Sequence, residues 1–286
     1  MIHYLCDTSW ILYRGFFSCS KVWPEYPEIH FLCKKIESLL TRKDSDLYLC
    51  LDGFNTKGRR ILGESYKKDR NKEMHRSVYE ALPTFVSLLH NDKIKVCYNN
   101  NYESDEIIYT LSKTLDGRKK IISGDKDIFQ ALSNDVVIDN GKNLIITEES
   151  YKFEYSDKFF EIEPNKLPIF RAITGDISDT LYPPVARFPK KLAAYIVELL
   201  DYNGECPSIY QLCNVESLLK DSDKKWLNRL IDAYDKFSTN FNIMKLNVIE
   251  DNFNCKYDRE LVTISDFLKS KIERLNTLWD KLWIRN

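Results

Sequence analysis

Short apolar runs alternate with longer helical patterns through the first half of the chain. The runs with the length and composition of buried strands are "IHYLC" (2–6), "DLYLCL" (46–51), "KIKVCY" (93–98), "KKIIS" (119–123) and "DVVID" (135–139). Helical periodicity lies between them, at 28–42 and 77–90, and the alternating segment 143–155 is typical of an antiparallel edge or hairpin. This order predicts an α/β fold with a mostly parallel sheet flanked by helices.

Helical patterns dominate beyond residue 165, as in 190–202 and 263–283. The change predicts two regions, 1–165 with the sheet and 166–286 with helices. No internal repeat or low-complexity linker marks the boundary between them.

The composition constrains the partner and the compartment. The 286 residues carry a formal net charge of −1, which neither favours a nucleic-acid partner nor excludes one, because an acidic metal site would cancel a basic surface. The eight cysteines lack the spacing of a zinc site, which favours reduced, mostly buried thiols. Without a signal peptide or a long apolar stretch, we expect a cytoplasmic protein.

Acidic residues follow four of the predicted strands. They are Asp7, Asp52, Glu103, Asp105, Glu106, Asp125 and Asp127. Each one alone is explained by turn chemistry or by the start of a helix. The carboxyl ends of parallel strands meet at one edge, however, and clustered carboxylates repel one another unless cations neutralise them. The set predicts a site for two Mg²⁺ or Mn²⁺ ions.

A basic segment follows Asp52. Residues 57–76 contain eight Lys or Arg against three acidic residues, and Tyr66 stands beside Lys67. A solvated helix face is the ordinary explanation, but interleaved basic and aromatic residues also suit a single-stranded nucleic acid.

Further along, Asp176 and Asp179 share one face of a helical turn, and the helix start after them is basic, as in phosphate-binding helices.

Together these motifs resemble the 5′ nucleases of the flap endonuclease family. The family includes the phage 5′-3′ exonuclease and ribonuclease H type enzymes and the 5′ nuclease domain of DNA polymerase I. The resemblance runs from Asp7 to about Leu200. It rests on "DTSWILYR", "LDG…ESYKKDR", "ESDEI", "SGDKDIFQAL" and "GDISDTLYPPVARFPKK".

The resemblance implies a PIN-like twisted sheet, a helical arch over roughly residues 54–92 and a helix-turn-helix that grips duplex DNA. It implies hydrolysis of a phosphodiester near a single-strand/duplex junction by two metal ions. The implied metal ligands are Asp7, Asp52, Glu103, Asp105 and Asp125, with Asp127, Asp176 and Asp179 in a second cluster and Glu106 in place of the usual aspartate. Lys67 and Arg14 would contact the scissile phosphate. The implied nucleic-acid contacts are Arg59, Arg60, Tyr66, Lys67, Lys68, Arg70, Lys190 and Lys191.

One departure concerns the turn before Pro189 and Lys190. The family's glycine-rich turn is "ARF" here, Ala186–Phe188, although Pro-Lys follows as in the family. Because glycine permits close backbone approach, its absence puts in doubt a monovalent-ion site and the strength of duplex binding.

Two alternatives to an active nuclease stay open. One is a catalytically weak junction-binding relative, and the other is a magnesium phosphohydrolase of small molecules, which would need neither arch nor helix-turn-helix. For the nuclease, the expected partner is DNA with 5′ single-stranded arms, with RNA–DNA hybrids and a replication protein as further candidates. We expect a monomer that acts in DNA replication or repair, in the host cytoplasm if it is encoded by a phage.

Overall fold

The computed structural model describes residues 1–19, 21–22, 27–40, 44–53, 86, 94–142, 145–151, 153–155, 158–251, 270, 273–274 and 277. Apart from residue 86, positions 54–93 lie outside this set, and so does most of the segment 263–283. Within these ranges, no helix has the length and apolar character needed to cross a bilayer. The described cysteines are free thiols, and Cys6, Cys33, Cys50 and Cys97 are buried, as predicted.

Six described strands form the main sheet. They are β1 Ile2–Asp7, β2 Ser45–Cys50, β3 Ile94–Cys97, β4 Arg118–Ile122, β5 Val136–Asp139 and β6 Ile145–Ile146. Their order is β3-β2-β1-β4-β5-β6, in which only the β5–β6 pair is antiparallel. The central strand, β1, therefore has parallel neighbours on both sides.

Helices cover the sheet and form the second half of the described chain. They are α1 Thr8–Cys19, α2 Pro27–Leu39, α3 Ser104–Thr114, α4 Leu167–Thr174, α5 Lys190–Leu199, α6 Ile209–Glu216, α7 Asp221–Asp232 and α8 Tyr234–Met244. A separate hairpin pairs β7 Phe153–Tyr155 with β8 Lys158–Phe160. Short 3₁₀ turns span Asp127–Ala131, Pro164–Lys166 and Ile177–Asp179.

Both faces of the sheet are buried, which explains the nearly continuous apolar runs of its strands. Along β1, Tyr4 and Cys6 belong to the hydrophobic cluster shared with α1 and α2. Leu5 points to the opposite face and belongs to the cluster that includes α3. Strand alternation thus places a helical layer on each side of β1.

The second of these clusters continues across residue 165. It joins Leu5 and Ile121 of the sheet to Phe170 of α4 and Phe237 of α8, all at most 1 % exposed. The helices that follow the sheet are therefore packed against it by shared apolar burial. The division at 165 stays a prediction.

The mostly parallel sheet is confirmed, and each of the five predicted strands begins and ends within one residue of its prediction. The segment 143–155 supplies the antiparallel edge strand β6, while its last residues pair with β8 in the separate hairpin. The sequence patterns did not identify α1 or β8 as elements. The helix predicted at 28–42 ends at Leu39.

Replacing Phe170 by Ala tests whether α4 is bound to the sheet through this cluster. Phe170 is fully buried and packs against Phe160, with ring centroids 5.4 Å apart. We expect the free energy of unfolding to fall by about 3–5 kcal/mol, measured by urea denaturation, because the vacated space cannot be refilled completely. The matched control is Phe17→Ala, since Phe17 is 57 % exposed; its cost should stay below about 1 kcal/mol. Equal losses in the two variants would contradict this packing.

Candidate active site

Three of the acidic residues predicted to cluster, Asp7, Asp52 and Asp125, lie at one edge of the sheet. β1 ends at Asp7, Asp52 comes two residues after β2, and Asp125 comes three residues after β4. Because β2, β1 and β4 are adjacent and parallel, these three positions occupy the same carboxyl edge.

The Asp7 carboxylate of this edge is buried, at 5 % exposure. Its Oδ1 accepts hydrogen bonds from the Trp10 backbone N–H at 3.0 Å and from the Ser104 hydroxyl at 3.3 Å. Its Oδ2 accepts one from the Ser123 hydroxyl at 2.8 Å. Strand β1, helix α3 and the segment after β4 thus meet at one side chain.

The environment of Asp7 disfavours its negative charge. Burial and, after it, the charges of Asp52 and Asp125 raise the pKa of Asp7 to about 7, against the opposing effect of the hydrogen bonds from Trp10 and Ser123. A divalent cation at this edge would reverse the balance, because it stabilises the ionised carboxylates.

The start of α3 positions the second acidic group. The Ser104 backbone N–H donates to Asp52 Oδ1 at 2.8 Å, which ties the helix to the segment after β2. Glu103 is the N-cap, and the Glu106 carboxylate accepts the Glu103 backbone N–H at 2.9 Å as part of a capping box. Glu103 and Asp105 are buried, at 7 % and 6 % exposure. Glu106 therefore has a structural task in addition to the predicted metal contact.

The "SGDKD" segment after β4 is a turn built around carboxylates. The Asp125 backbone N–H donates to the Ser123 hydroxyl at 3.1 Å, and the Asp127 N–H donates to Asp125 Oδ1 at 2.9 Å. Gly124 lies against Trp10, where an added Cβ would come within 2.5 Å of the indole Nε1. Turn geometry and glycine thus allow Asp125 to stay close to Asp7.

A second acidic group surrounds a buried arginine that sequence reasoning missed. The Arg171 guanidinium of α4 forms ion pairs with Asp127 and with Asp176. Arg171 is 5 % exposed, and Asp127 and Asp179 are 3 % and 6 % exposed. An arginine inside the apolar stretch "LPIFRAIT" was the available signal, because an arginine is rarely fully buried without an acidic partner.

Asp176 and Asp179 lie on one 3₁₀ turn after Gly175, as their spacing predicted. The Asp176 side chain caps this turn by accepting the Ser178 backbone N–H at 3.0 Å. The Tyr151 hydroxyl, near Arg171 and Asp127, is buried and has no hydrogen-bond partner in the described structure. Burial raises the pKa of Tyr151 well above its ordinary value.

Arg14 contacts the segment that follows β5 in this structure. Its guanidinium donates to the backbone carbonyl oxygens of Asn140, at 3.4 Å, and Gly141, at 2.5 Å, after β5. The predicted contact of Arg14 with a scissile phosphate stays a prediction.

The predicted basic contacts divide into two sets. Lys190 and Lys191 begin α5, where Lys191 is exposed. Just before them Arg187 has a φ of 59°, the left-handed region that glycine favours. The "ARF" turn therefore includes this backbone conformation without glycine. The predicted residues of the arch lie outside the described residues, namely Arg59, Arg60, Tyr66, Lys67, Lys68 and Arg70.

The chemistry of the edge fits a hard divalent cation. Asp7, Asp52 and Asp125 offer carboxylate oxygens, and their mutual repulsion is the kind that such an ion relieves. Among the described residues, no three acidic, His or Cys side chains already converge in the geometry of a bound metal ion. In the second group, Arg171 supplies part of the positive charge that a cation would bring.

Replacing Asp7 by Asn tests the cost of burying this carboxylate without a metal ion. A raised pKa means that the folded protein keeps a proton that the unfolded chain releases, so stability falls as pH rises from about 4 to about 7. With EDTA at pH 8, we expect Asp7→Asn to unfold at higher urea, with a gain of at least about 1 kcal/mol, and the gain should shrink towards pH 5. Asp135→Asn, at an exposed position, is the control. A metal-free Asp7→Asn protein that is less stable than wild type at pH 8 would refute this reading.

Replacing Arg171 by Leu tests the ion pairs of the second group. We expect a loss of about 3–5 kcal/mol in unfolding free energy, because Asp127 is left buried without its cation. Adding Asp127→Asn should recover part of the loss, which a double-mutant cycle measures. Arg118→Leu, at an exposed position, should change stability little. Additive effects of the two changes would show that Arg171 and Asp127 do not interact.

The sequence matches a known family model and known relatives. Residues 3–157 match the family model described as the 5′-3′ exonuclease, N-terminal resolvase-like domain. A 5′-3′ exonuclease of Aquifex aeolicus is 27% identical over 229 residues, covering 77% of this chain and 73% of the relative. A DNA polymerase I of Streptococcus pneumoniae is 25% identical over 250 residues, and the match spans 28% of that longer protein.

Solved structures share the fold. The T5 D15 protein co-crystallised with metal ions superposes with a TM-score of 0.63 at 13% identity, over 98% of this chain and 100% of that one. The catalytic core of Rad2 in complex with DNA substrate gives a TM-score of 0.51 at 13% identity, over 99% of this chain and 90% of that one. With the family model matched over more than half of its length, the chain belongs to the 5′-3′ exonuclease family.

Proposed function

We propose that the chain is a divalent-metal-dependent 5′ nuclease that hydrolyses phosphodiester bonds of DNA near single-strand/duplex junctions. The observation that carries the proposal is the position of Asp7, Asp52 and Asp125 at the carboxyl edge of three adjacent parallel strands, with the pKa of Asp7 raised by burial and by its neighbours. Family membership and the names of the relatives support the same activity.

The metal requirement follows from the charge of the edge. Asp7, Asp52 and Asp125 would hold one Mg²⁺ or Mn²⁺ ion, with Glu103 and Asp105 directly or through water. Asp127, Asp176 and Asp179 would hold a second ion, in competition with Arg171. A bound divalent cation supplies Lewis acidity at the phosphodiester and lowers the pKa of an attacking water molecule.

The protein groups would position the substrate around this edge. Lys67 would neutralise charge that develops on the scissile phosphate, as an electrostatic catalyst does. Tyr66 would stack on a base, and the basic residues near it, Arg59, Arg60, Lys68 and Arg70, would bind the single strand through its phosphates. Lys190 and Lys191 would contact the duplex backbone at the start of α5, without reading its sequence.

The substrate suggests the process in which the enzyme acts. A 5′ nuclease that cuts at junctions would remove flaps or RNA primers during DNA replication or repair. We further propose that it acts in the cytoplasm and as a monomer. RNA–DNA hybrids are therefore candidate substrates beside DNA.

Cleavage of a 5′-labelled flap on a nicked duplex tests the proposed function. We expect magnesium-dependent release of a short oligonucleotide, abolished by EDTA and reduced at least about 100-fold by Asp125→Asn, because a ligand of the reactive centre is lost. The exposed Asp135→Asn variant should cleave like wild type. Binding of the flap without cleavage, in magnesium or manganese, would instead identify a junction-binding relative. Release of mononucleotides alone would identify an exonuclease, and a flap with a ribonucleotide 5′ arm would reveal hybrid preference.

Replacing Lys67 by Ala separates charge stabilisation from binding. We expect the single-turnover cleavage rate to fall about 100-fold or more, with flap affinity changed less than about tenfold, because one cation among many is removed from the strand path. Lys72→Ala, in the same basic segment, is the matched control. Parallel losses of rate in the two lysine variants would assign Lys67 to general electrostatic binding only.

A further inference from the structure

A cavity of about 430 Å³ lies beside the acidic edge, between α1, α2 and the ends of β4 and β5. Its lining includes Trp10 and Arg14 of α1, Phe31 and Lys35 of α2, Lys120 of β4 and Asp139 of β5. Asp7, Asp52 and Asp125 are not among its described lining residues, and Gly124, which precedes Asp125, packs against the Trp10 ring. The cavity is therefore distinct from the proposed metal site.

Among the described residues, the ionised side chains that line the cavity are three cations and one carboxylate. The ammonium groups of Lys120 and Lys35 approach the same oxygen, Asp139 Oδ2, at 3.2 and 3.6 Å. One carboxylate thus serves two lysines, and the cavity keeps an excess of positive charge.

Arg14 adds to this excess. It binds the carbonyl oxygens of Asn140 and Gly141, which carry no net charge, and its guanidinium carbon lies 5.3 Å from the centre of the Trp10 ring. Gly141 has a φ of 73°, and a Cβ there would overlap the Arg14 guanidinium. The backbone after β5 is thus shaped to admit Arg14 into the cavity.

The remaining walls are apolar. Trp10 and Phe31 present aromatic rings, and Ile145, which also lines the cavity, is 52 % exposed. Rings beside clustered cations suit a ligand with one anionic end and one flat apolar end. The volume lies within the range of roughly 300–1,000 Å³ that is common for small-molecule sites.

We propose that this cavity binds a nucleotide, with its phosphate at Lys35, Lys120 and Arg14 and its base against Trp10 and Phe31. The site goes beyond the proposed cleavage chemistry. The choice of a nucleotide rests on the proposed nuclease function, whereas the preference for an anion rests on the charges alone. The nucleotide is either a released nucleoside monophosphate or a unit of the DNA strand.

Isothermal titration with thymidine 5′-monophosphate, in EDTA, tests the proposal without any cleavage. We expect wild type to bind the monophosphate, and thymidine, which lacks the anion, to bind at least about tenfold more weakly. Lys35→Gln with Lys120→Gln should weaken binding of the monophosphate about tenfold or more, since two charged contacts are lost.

Two further variants separate binding from folding. Asp139→Asn should tighten binding, because it removes the carboxylate that competes for both lysines, whereas damage to the fold would weaken it. Lys95→Gln is the matched control, since Lys95 also pairs with an aspartate, Asp46 at 3.0 Å, but at the opposite end of the strands. It should bind the monophosphate like wild type.

The proposal is overturned if the monophosphate does not bind, if thymidine binds equally well, or if the double variant and Asp139→Asn bind like wild type. The dinucleotide pTpT distinguishes the sources: tighter binding than the monophosphate assigns the site to the DNA strand, and weaker binding assigns it to the released product. Because these titrations need neither metal nor cleavage, their failure is separate from a failure of the flap assay.

Discussion

The burial of Asp7 at the carboxyl edge of a parallel sheet is the constraint on which the site depends. β1 is the central strand, so Asp7 receives the neighbouring charges of Asp52 from one side and Asp125 from the other. The strands cannot separate to relieve this repulsion without breaking the backbone ladder that pairs β1 with β2 and β4. The remaining ways to relieve it are a proton, the hydroxyl groups of Ser104 and Ser123, or a cation from solution. The repulsion between these carboxylates thus lowers the folding stability of the metal-free protein, and a metal ion bound at the same edge would restore it.

The two acidic groups balance their charge by different means. In the first, hydroxyl and backbone donors hold Asp7 while its pKa stays high. In the second, Arg171 already pairs with Asp127 and Asp176, so the carboxylates have a fixed cation of their own. A metal ion at the first group would relieve the repulsion that raises the pKa of Asp7. At the second group it would have to share the carboxylates with a buried guanidinium. The two groups are therefore expected to differ in affinity for the same ion.

Much of the fold and the acidic edge could be predicted from the sequence, because both depend on local patterns. Apolar runs gave the strands to within one residue, and the residues just beyond them gave Asp7, Asp52 and Asp125. Arg171 was missed because one of its two partners, Asp127, lies 44 residues away in the chain. The capping role of Glu106 was hidden for another reason, since a metal ligand and a helix cap require the same residue type at the same place. In the "ARF" turn, the missing glycines put in doubt a monovalent-ion site and the strength of duplex binding, yet Arg187 adopts the left-handed conformation without glycine. The roles assigned to Lys67 and the other basic residues of 57–76 stay predictions.

The spacing of Asp7 and Arg14 has a structural meaning that the motif alone does not reveal. Helix α1 begins directly after Asp7, so seven residues correspond to about two turns and a rise of about 10 Å. Trp10 lies between them: its backbone N–H donates to Asp7, and its ring lies beneath the Arg14 guanidinium. Helix α1 thus positions Asp7 at the acidic edge, through the Trp10 N–H, and Arg14 in the proposed nucleotide cavity, where it lies over the Trp10 ring. A shift of α1 along its axis would disturb both places at once. If a DNA strand spans the two, the same helix sets the distance between the phosphate at the metal site and the phosphate at the cavity.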